Sequence, residues 1–507
     1  MHCELTNSIH RLNILIVGLG LSGQSVAAYL SKRNIKFQIA DSRINPPDIE
    51  KFKAEFEPTG LLQGVHLGAF ESAVFCAPSL DLLIISPGID IAHPLIQQAK
   101  AQGKKIIGDI ELFAQAVKSY CPNHQIIGIT GSNGKSTVVS LVGALLSAYA
   151  NQTQKIKIVV AGNIGLPVLT ALDNLILEEP DLAHCHVYFV LELSSFQLET
   201  TESLDLTVSA ILNISPNHLD RYNHNVETYA QAKHKIYALG MGHKNTIVYN
   251  REDNRTYPDY VNKNINKNIS FGLDKPQDKP QDKPEQDQWG ICSENNHLFL
   301  ACGQKSYFPV SDLKLMGQHN YANCLAALAI LQALGLNFTE NLNLNLNLNL
   351  KLALSLFTGL PHRCEWVANK DKVQFINDSK ATSIGATIAA IEGLAPTLSL
   401  SLKKGKLILI AGGDGKGADF SEMTPILEKY VQAVVLIGRD ADKIAEIVPK
   451  SIPSYLAKTL DKAVPMAYSL AKAGDMVLLS PICASWDQYS SYVERGEHFK
   501  ACVRNLS

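Results

Sequence analysis

The stretch Ile126–Thr137, IIGITGSNGKST, constrains this chain more than any other. It reads as an apolar strand, a glycine-rich turn, and Lys-Ser-Thr opening a helix that runs on as VVSLVGALLSAYA. Such a turn aims backbone N–H groups and a helix N-terminus at one spot, which favours an anion such as a nucleotide phosphate. Gly131 and Gly134 let the backbone approach the phosphates, Lys135 reaches toward the terminal ones, and Ser136 is placed to ligate magnesium. A strict P-loop pattern wants a glycine five residues before Gly134, where Ile129 stands. An ordinary glycine-rich turn is the bland alternative, and the flanking strand and helix argue against it.

The 507 residues around this loop predict about three domains at roughly 150 residues each. A hydrophobic fraction of 46% with 19% charged residues suits ordinary globular cores, and a net charge of −2 gives no electrostatic reason to bind nucleic acid or an anionic membrane. The ten cysteines are scattered without a CxxC pair, which argues against a disulfide framework and a structural zinc site and fits a reducing cytoplasm. The opening MHCELTNSIHRLNILIVG lacks the long apolar core of a signal peptide, and no apolar run is long enough to span a bilayer.

In the first third, a strand over 13–17 leads into Gly18-Leu19-Gly20-Leu21-Ser22-Gly23 and a helix, SVAAYLSKR, and a second strand, FQIA, ends in Asp41-Ser42-Arg43. GxGxxG in that setting predicts a Rossmann-type domain with an anionic nucleotide at the first turn. NAD with Asp41 on its ribose is one reading, but the turn serves any nucleotide diphosphate. The strand in DLLIISPGI ends in Ser86-Pro87-Gly88, a loop where ligands usually sit, and Gly108–Leu112 leads toward a domain boundary.

In the middle third, VYFVLELSS puts Glu192 at the end of a continuously apolar strand, and VSAILNISPNHLDRY puts His218 and Asp220 just beyond another. Strand ends of a parallel sheet share one edge, so Glu192, His218 and the Lys135 loop are expected to converge, with Glu192 and Ser136 offering magnesium its oxygen ligands. A solvated acid and a merely hydrogen-bonded histidine are the competing readings. In VETYAQAKHKIYALG, charge and helical pattern alone make Lys233 and Lys235 two solvated lysines.

Residues 262–288, with NKNINKN and DKPQDKPQDKPEQDQ, predict a disordered or loosely held surface insertion. Residues 341–350 are five Asn-Leu pairs whose strict alternation reads as strand, although both flanks read as helix. In the last third, VQFIND, KLILIAGG, AVVLIG and DMVLLSP predict a second Rossmann-like unit. Its strand ends carry Asp378–Thr382, Gly412–Lys416 and Ser480–Ser485, and Lys380 and Lys416 at neighbouring ends suit a small acidic substrate, with exposed turn lysines as the alternative.

TGSNGKST, LELSSFQL, NISPNHLDRY, GQHNYANCLAALA, GLPHRCE, INDSKATS, AGGDGKGADF and LLSPICASWDQYSSYVERGEHFK follow in an order that resembles the Mur ligases of bacterial cell-wall synthesis. The likeness covers nearly the whole chain outside the two low-complexity stretches. The GLGLSG–DSR start and the SPICASWDQY–ERGEHF end are similar to the D-glutamate-adding branch, whereas the phosphate loop alone would also fit other amino-acid-adding Mur ligases or folylpolyglutamate synthetase.

The resemblance implies a three-domain α/β protein: a Rossmann-like domain over 1–112 that binds a UDP substrate, a central P-loop-type ATPase domain with a mostly parallel sheet over 113–359, and a Rossmann-like domain over 360–507 that binds D-glutamate. It implies UDP binding by Gly20, Leu21, Ser22, Asp41, Ser42, Arg43, Ser86, Pro87 and Gly88, with Asn163 and His218 near the muramoyl-alanine end. ATP would lie on Gly131, Ser132, Asn133, Gly134, Lys135, Ser136 and Thr137, completed by Asn320, Asn323, Arg363 and Asp378. Two Mg2+ sites are implied, one on Ser136 and Glu192, the other on His218 and a carbamate on Lys233. D-glutamate would be held by Lys380, Thr382, Lys416, Ser485 and Tyr492, with Ser383 and Trp486 departing from the usual family residues. The implied reaction is ATP-dependent joining of D-glutamate to UDP-N-acetylmuramoyl-L-alanine in peptidoglycan precursor synthesis, by a cytoplasmic monomer whose domains close around an acyl phosphate. Lys135, Glu192, His218, Lys233 and Arg363 would carry the catalysis. A nicotinamide-dependent dehydrogenase would explain GLGLSG but leave the Lys135 loop without a purpose, and a non-catalytic nucleotide-binding scaffold would release no phosphate.

Overall fold

The computed structural model describes residues 9–150, 155–239, 245–258, 267–276, 287–315, 317–336, 344–399 and 405–506. The chain divides into two compact units, 1–272 with 277–289 and 326–350, and 273–276 with 290–325 and 351–507.

The first unit opens with five parallel strands, β1 (Ile14–Val17), β2 (Phe37–Asp41), β3 (Leu62–Leu67), β4 (Leu82–Ile85) and β5 (Lys105–Ile107), in the order β3-β2-β1-β4-β5. Every residue of β1 and β4 is buried, as expected of parallel strands covered on both faces. Strand order reverses between β1 and β4, so their carboxyl ends open a crevice. The helix Leu21–Ser31 starts inside the GxGxxG motif, where a Cβ on Gly23 would fall 1.9 Å from the Gly18 carbonyl oxygen.

A second parallel sheet follows, with β6 (His124–Thr130), β7 (Ile156–Gly162), β8 (His186–Glu192), β9 (Val208–Ile211), β10 (Thr246–Asn250), β11 (Lys267–Phe271) and the start of β12 (Asp287–Glu294). In this unit they run β12-β11-β10-β9-β6-β8-β7. The strand that feeds the phosphate loop is therefore flanked by the strands ending in Glu192 and leading to His218.

The second unit has an antiparallel hairpin, β13 (His297–Cys302) with β14 (Lys305–Pro309). Its main sheet holds β15 (Glu365–Lys370), β16 (Val373–Asn377), β17 (Leu407–Gly412), β18 (Val431–Ile437), β19 (Ser454–Lys458) and β20 (Met476–Leu479), ordered β15-β16-β20-β17-β18-β19 and parallel except for β15.

Two expectations are corrected and one divided reading is resolved. Within the polar stretch 262–288, Lys267–Phe271 is a strand paired in parallel with β10, because Ile269 and Phe271 are buried, and residues 287–288 begin β12; 262–266 and 277–286 lie outside the described residues. In the Asn-Leu run the helical flanks win over the alternation: residues 344–350 belong to a helix, Leu344–Leu356, since leucine is a strong helix former and an alternating segment gains nothing as a strand without a pairing edge. Residues 341–343 lie outside the described residues. Finally, β16 and β17 are not adjacent, since β20 runs between them. The nine described cysteines are all free, and no described helix is long and apolar enough to cross a membrane.

Candidate active site

At the β1/β4 crevice a cleft of 560 Å³ is lined by Gly20, Leu21, Ser22, Asp41, Ser42, Arg43, Ser86, Pro87 and Gly88, with Gly162, Asn163 and Gln197. All the residues implied for UDP binding except His218 thus line one concavity. Ser86 fastens the two loops by donating from Oγ to the Gly18 carbonyl at 2.7 Å. Asp41 is buried and accepts from the Leu19 N–H at 2.7 Å and from the Arg43 guanidinium at 2.8 and 2.7 Å. Burial pushes its carboxyl up, but the bonds from Arg43 and Leu19 outweigh that and hold it below the ordinary value. Asp41 therefore orders the turn and presents Arg43, a cation suited to phosphate.

Asn163 links this cleft to the second sheet. Its Nδ2 donates to Glu192 Oε1 at 3.0 Å, and Glu192 lies opposite Ile129 at the end of the strand that feeds the phosphate loop. Glu192 is 2% exposed, and its Oε2 has no hydrogen-bond partner among the described residues. A buried carboxylate oxygen left open in this way is what a hard cation would occupy.

The phosphate loop is braced from β9. Ser132 N–H donates to the Asn213 carbonyl at 2.9 Å, Asn133 N–H to Asn213 Oδ1 at 2.8 Å, and Ser132 Oγ to the Ser215 carbonyl at 2.9 Å. Gly134 has φ +80°, a conformation glycine adopts without strain, and the helix begins at Lys135. Ser136 and Thr137 are buried behind the loop. Lys135 Nζ curls onto the loop carbonyls of Gly131 at 2.7 Å and Ser132 at 3.0 Å.

Lys233 is the principal correction to the reading from charge alone. It is 1% exposed, while Lys235 stands at the surface. Its helix, Val226–Ala238, aims Nζ at Gly131 O (3.1 Å) and Thr130 Oγ1 (3.3 Å), with the Tyr229 ring 4.7 Å away. Burial, reinforced by Lys135 and opposed by Glu192, lowers this amine well below the ordinary lysine value. His218 sits at φ +53° with its ring edge-on to Phe196 at 5.2 Å. Burial, then Lys135, depresses its pKa, with Asp220 opposing. Glu192, Lys233, Lys135 and His218 thus share one electrostatic neighbourhood, as the strand-end argument expects.

In the second unit, the ends of β16, β20 and β17 are knitted together: Asp378 N–H donates to Leu479 O at 2.8 Å, Gly412 N–H to Pro481 O at 2.8 Å, and Asp414 N–H to Ala484 O at 2.9 Å. Lys380 Nζ lies 4.0 Å over the Tyr492 ring. Ser485 is buried, whereas Thr382 and Lys416 are exposed. Asp378 is buried and accepts from Ser480 Oγ at 2.8 Å and Cys364 N–H at 3.1 Å; burial pushes its carboxyl up to about 7. Near the N-terminus of the helix Gln318–Ala333, Asn323 Nδ2 donates to Asn320 Oδ1 at 3.0 Å.

Several contributors went unassigned from sequence. Arg495, buried to 1%, donates to Ser379 Oγ and O at 3.0 and 2.9 Å and to Cys483 O at 3.1 Å, fixing the loops that carry Lys380 and Ser485. Asp109 is buried near Ser22 and Gln197, with its carboxyl raised by burial. Arg221 and Glu199 pair beneath His218. In sequence they carry no distinguishing signal, since Arg221 and Arg495 stand among other polar residues in NHLDRYNHN and YVERGEHFK.

A cleft at the switch point of one α/β sheet, an adjoining phosphate loop with a buried acid and amine, and a further α/β sheet with its own polar edge are the parts of a three-domain nucleotide-dependent ligase. Family comparisons agree: residues 12–108 match the Mur ligase MurD-like N-terminal domain, 129–331 the Mur ligase middle domain, and 362–483 the Mur ligase glutamate ligase domain. The chain belongs to the Mur ligase family. It is 40% identical over 493 residues to the UDP-N-acetylmuramoylalanine--D-glutamate ligase of Pseudomonas syringae pv. tomato, covering 97% of this chain and 98% of that one. To the same-named enzyme of Saccharophagus degradans it is 42% identical over 495 residues, with the same coverage. Among solved structures, UDP-N-acetylmuramate-alanine ligase MurC of Thermotoga maritima shares the fold, with a TM-score of 0.54 at 17% identity over 97% of this chain and 99% of that one.

Proposed function

We propose that this protein joins D-glutamate to UDP-N-acetylmuramoyl-L-alanine with hydrolysis of ATP, as an enzyme of peptidoglycan precursor synthesis in the cytoplasm. Near-full-length similarity to relatives of that name supports the reading. The observation that carries it is the Asn163–Glu192 hydrogen bond, which joins the rim of the 560 Å³ cleft to the strand beside the phosphate loop. A carboxylate carried by a substrate in that cleft is thereby delivered to the terminal phosphate of ATP.

In this reading the domains are 1–112, 113–359 and 360–507. Arg43 and the N–H groups of the 20–22 and 86–88 loops bind the diphosphate. Lys135 leaves its loop carbonyls to neutralise the γ-phosphate, and the loop amides stabilise charge as phosphoryl transfer proceeds. Attack of the alanine carboxylate gives an acyl phosphate and ADP; attack of the amine of D-glutamate then expels phosphate. Lys380, Thr382, Lys416, Ser485 and Tyr492 orient that amino acid, while Asn320, Asn323, Arg363 and Asp378 serve the nucleotide.

The donor set fits divalent magnesium: Ser136 with the open Oε2 of Glu192, and neutral His218 with a carbamate on Lys233. When bound, magnesium would supply charge neutralisation on the phosphates. The depressed Lys233 amine supports the carbamate, since carbon dioxide adds only to a neutral amine and releases a proton as the N–C bond forms.

The decisive assay is phosphate release from ATP with a panel of amino acids and UDP-linked muramoyl acceptors. Release with D-glutamate and UDP-N-acetylmuramoyl-L-alanine is expected, and its loss in a folded Lys135→Ala variant. Release with another amino acid only, or a Lys135→Ala variant of near-normal turnover, overturns the reading.

A further inference from the structure

Outside the residues assigned to ATP, the UDP substrate and D-glutamate, the second unit holds one mixed cluster of metal-ligating side chains among its described residues. Asp461 lies in the first turn of the helix Leu460–Leu470, while His498 and Cys502 lie four residues apart, on one face of the helix Tyr492–Arg504. Asp461 Oδ1 is 3.1 Å from His498 Nε2 and 3.9 Å from Cys502 Sγ, and the three donor atoms all lie within 4.8 Å of one another. Tetrahedral zinc, with bonds of about 2.0–2.2 Å to nitrogen and oxygen and about 2.3 Å to sulfur, sets neighbouring donors about 3.3–3.7 Å apart. Small rotamer adjustments bring the three side chains to that spacing.

The histidine is also oriented from behind. Its Nδ1 is 2.9 Å from the hydroxyl of Tyr489, a half-buried residue packed against the core. Without metal, Nε2–H donates to Asp461 Oδ1; with metal bound, the hydrogen moves to Nδ1, donates to the tyrosine oxygen and frees the Nε2 lone pair for the metal. The thiolate selects zinc over magnesium, a hard cation that favours oxygen donors and does not take sulfur.

We propose that Asp461, His498 and Cys502 form a zinc site, with water as the fourth ligand, that cross-links the helix Leu460–Leu470 to the helix bearing Tyr492 and Arg495. Loading converts Cys502 from thiol to metal-bound thiolate and releases one proton to solvent; no electrons are exchanged. Because the thiol must give up its proton to ligate, binding strengthens as pH rises.

The test uses the full chain, stripped of metal and held in excess Mg2+ to occupy the magnesium sites, then titrated with Co2+ as a spectroscopic probe. A near-ultraviolet thiolate-to-cobalt band with tetrahedral visible bands is expected, displaced by Zn2+ and absent in Cys502→Ser. Asp461→Asn and Tyr489→Phe should each weaken binding by about tenfold while keeping the band. Zn2+ should raise the Tm of the parent but not of Cys502→Ser. No thiolate band in the parent, or an undiminished band in Cys502→Ser, would show the trio to be only a hydrogen-bonded surface cluster.

Discussion

The guanidinium of Arg221 donates from Nη1 to the Pro87 carbonyl at 3.0 Å, tying the segment behind His218 to the loop at the mouth of the UDP cleft. The same group donates from Nη2 to Glu199 at 2.9 Å and lies 4.2 Å over Phe196, the ring that His218 meets edge-on. Both members of the Arg221–Glu199 pair are about nine-tenths buried. A lysine keeps the charge but cannot make the two directed bonds or the flat stack. Arg221→Lys should raise KM for the UDP substrate by about tenfold, the value of one charge-assisted hydrogen bond, with a smaller change in KM for ATP. Steady-state kinetics with each substrate varied separately checks this, and equal shifts in both would deny the loop-fastening role.

Lys233 gives a pH signature in carbon-dioxide-free buffer. Its folded pKa lies well below the ordinary 10.5. Between those values the unfolded chain binds a proton that the folded chain does not, so stability from this residue rises with pH across the window. Lys233→Met retains the bulk and removes the titration. The variant should be more stable than the parent at neutral pH, with a gap that narrows as pH climbs toward the ordinary lysine value. Thermal melts across that range test the sign, and a 13C-carbon dioxide carbamate resonance present in the parent and missing from the variant tests the chemistry.

Lys233 also marks where sequence reading stops. Nothing in VETYAQAKHKIYALG separates it from Lys235, because helical phase alone does not say which face meets the back of a phosphate loop; only the family resemblance singled it out. The strand-borne features were legible, since continuous apolar runs such as VYFVLE and KLILIAG admit few placements and their polar ends must share an edge. The strand ends that carry Asp41, Ser86, Glu192 and the Lys135 loop are therefore placed by the sequence pattern, whereas Asn163 rests on the resemblance alone. Arg495 does not stand out because a buried arginine looks like any charged residue until its carbonyl partners, Cys483 and Ser379, 12 and 116 residues away in sequence, are in place. The Asn-Leu repeat sets two signals against each other: strict alternation fits a strand, but leucine's helix propensity and the helical flanks prevail.

Glu192 makes a separate prediction about magnesium. Its Oε1 is engaged by Asn163 while Oε2 is buried and without a hydrogen-bond partner among the described residues. Glu192→Gln keeps the shape but replaces an anionic ligand by a neutral one. The Mg2+ concentration for half-maximal phosphate release should rise at least about tenfold, one ligand charge being worth more than about 1.4 kcal/mol in a buried site. An unchanged Mg2+ dependence would place the metal elsewhere.

Asp378 supplies the opposite pH signature, in the second unit. Its ordinary value is 3.8, and burial raises the folded carboxyl to about 7 against the opposing bonds from Ser480 and Cys364. Between these values the folded state holds a proton that the unfolded state has lost, so this residue's contribution to stability is full below 3.8 and is lost as pH rises to about 7. Asp378→Asn, with a carboxamide that stays neutral, should flatten that part of the stability profile. Ser480→Ala removes the 2.8 Å donor that favours the charged form, so the carboxyl should titrate higher still and the decline should extend to higher pH. Denaturant melts of the parent and both variants between pH 4 and pH 8 (about the span of the two pKa values) distinguish the cases. A Ser480→Ala profile displaced toward lower pH would mean that the serine serves the protonated acid instead, as acceptor of its hydrogen.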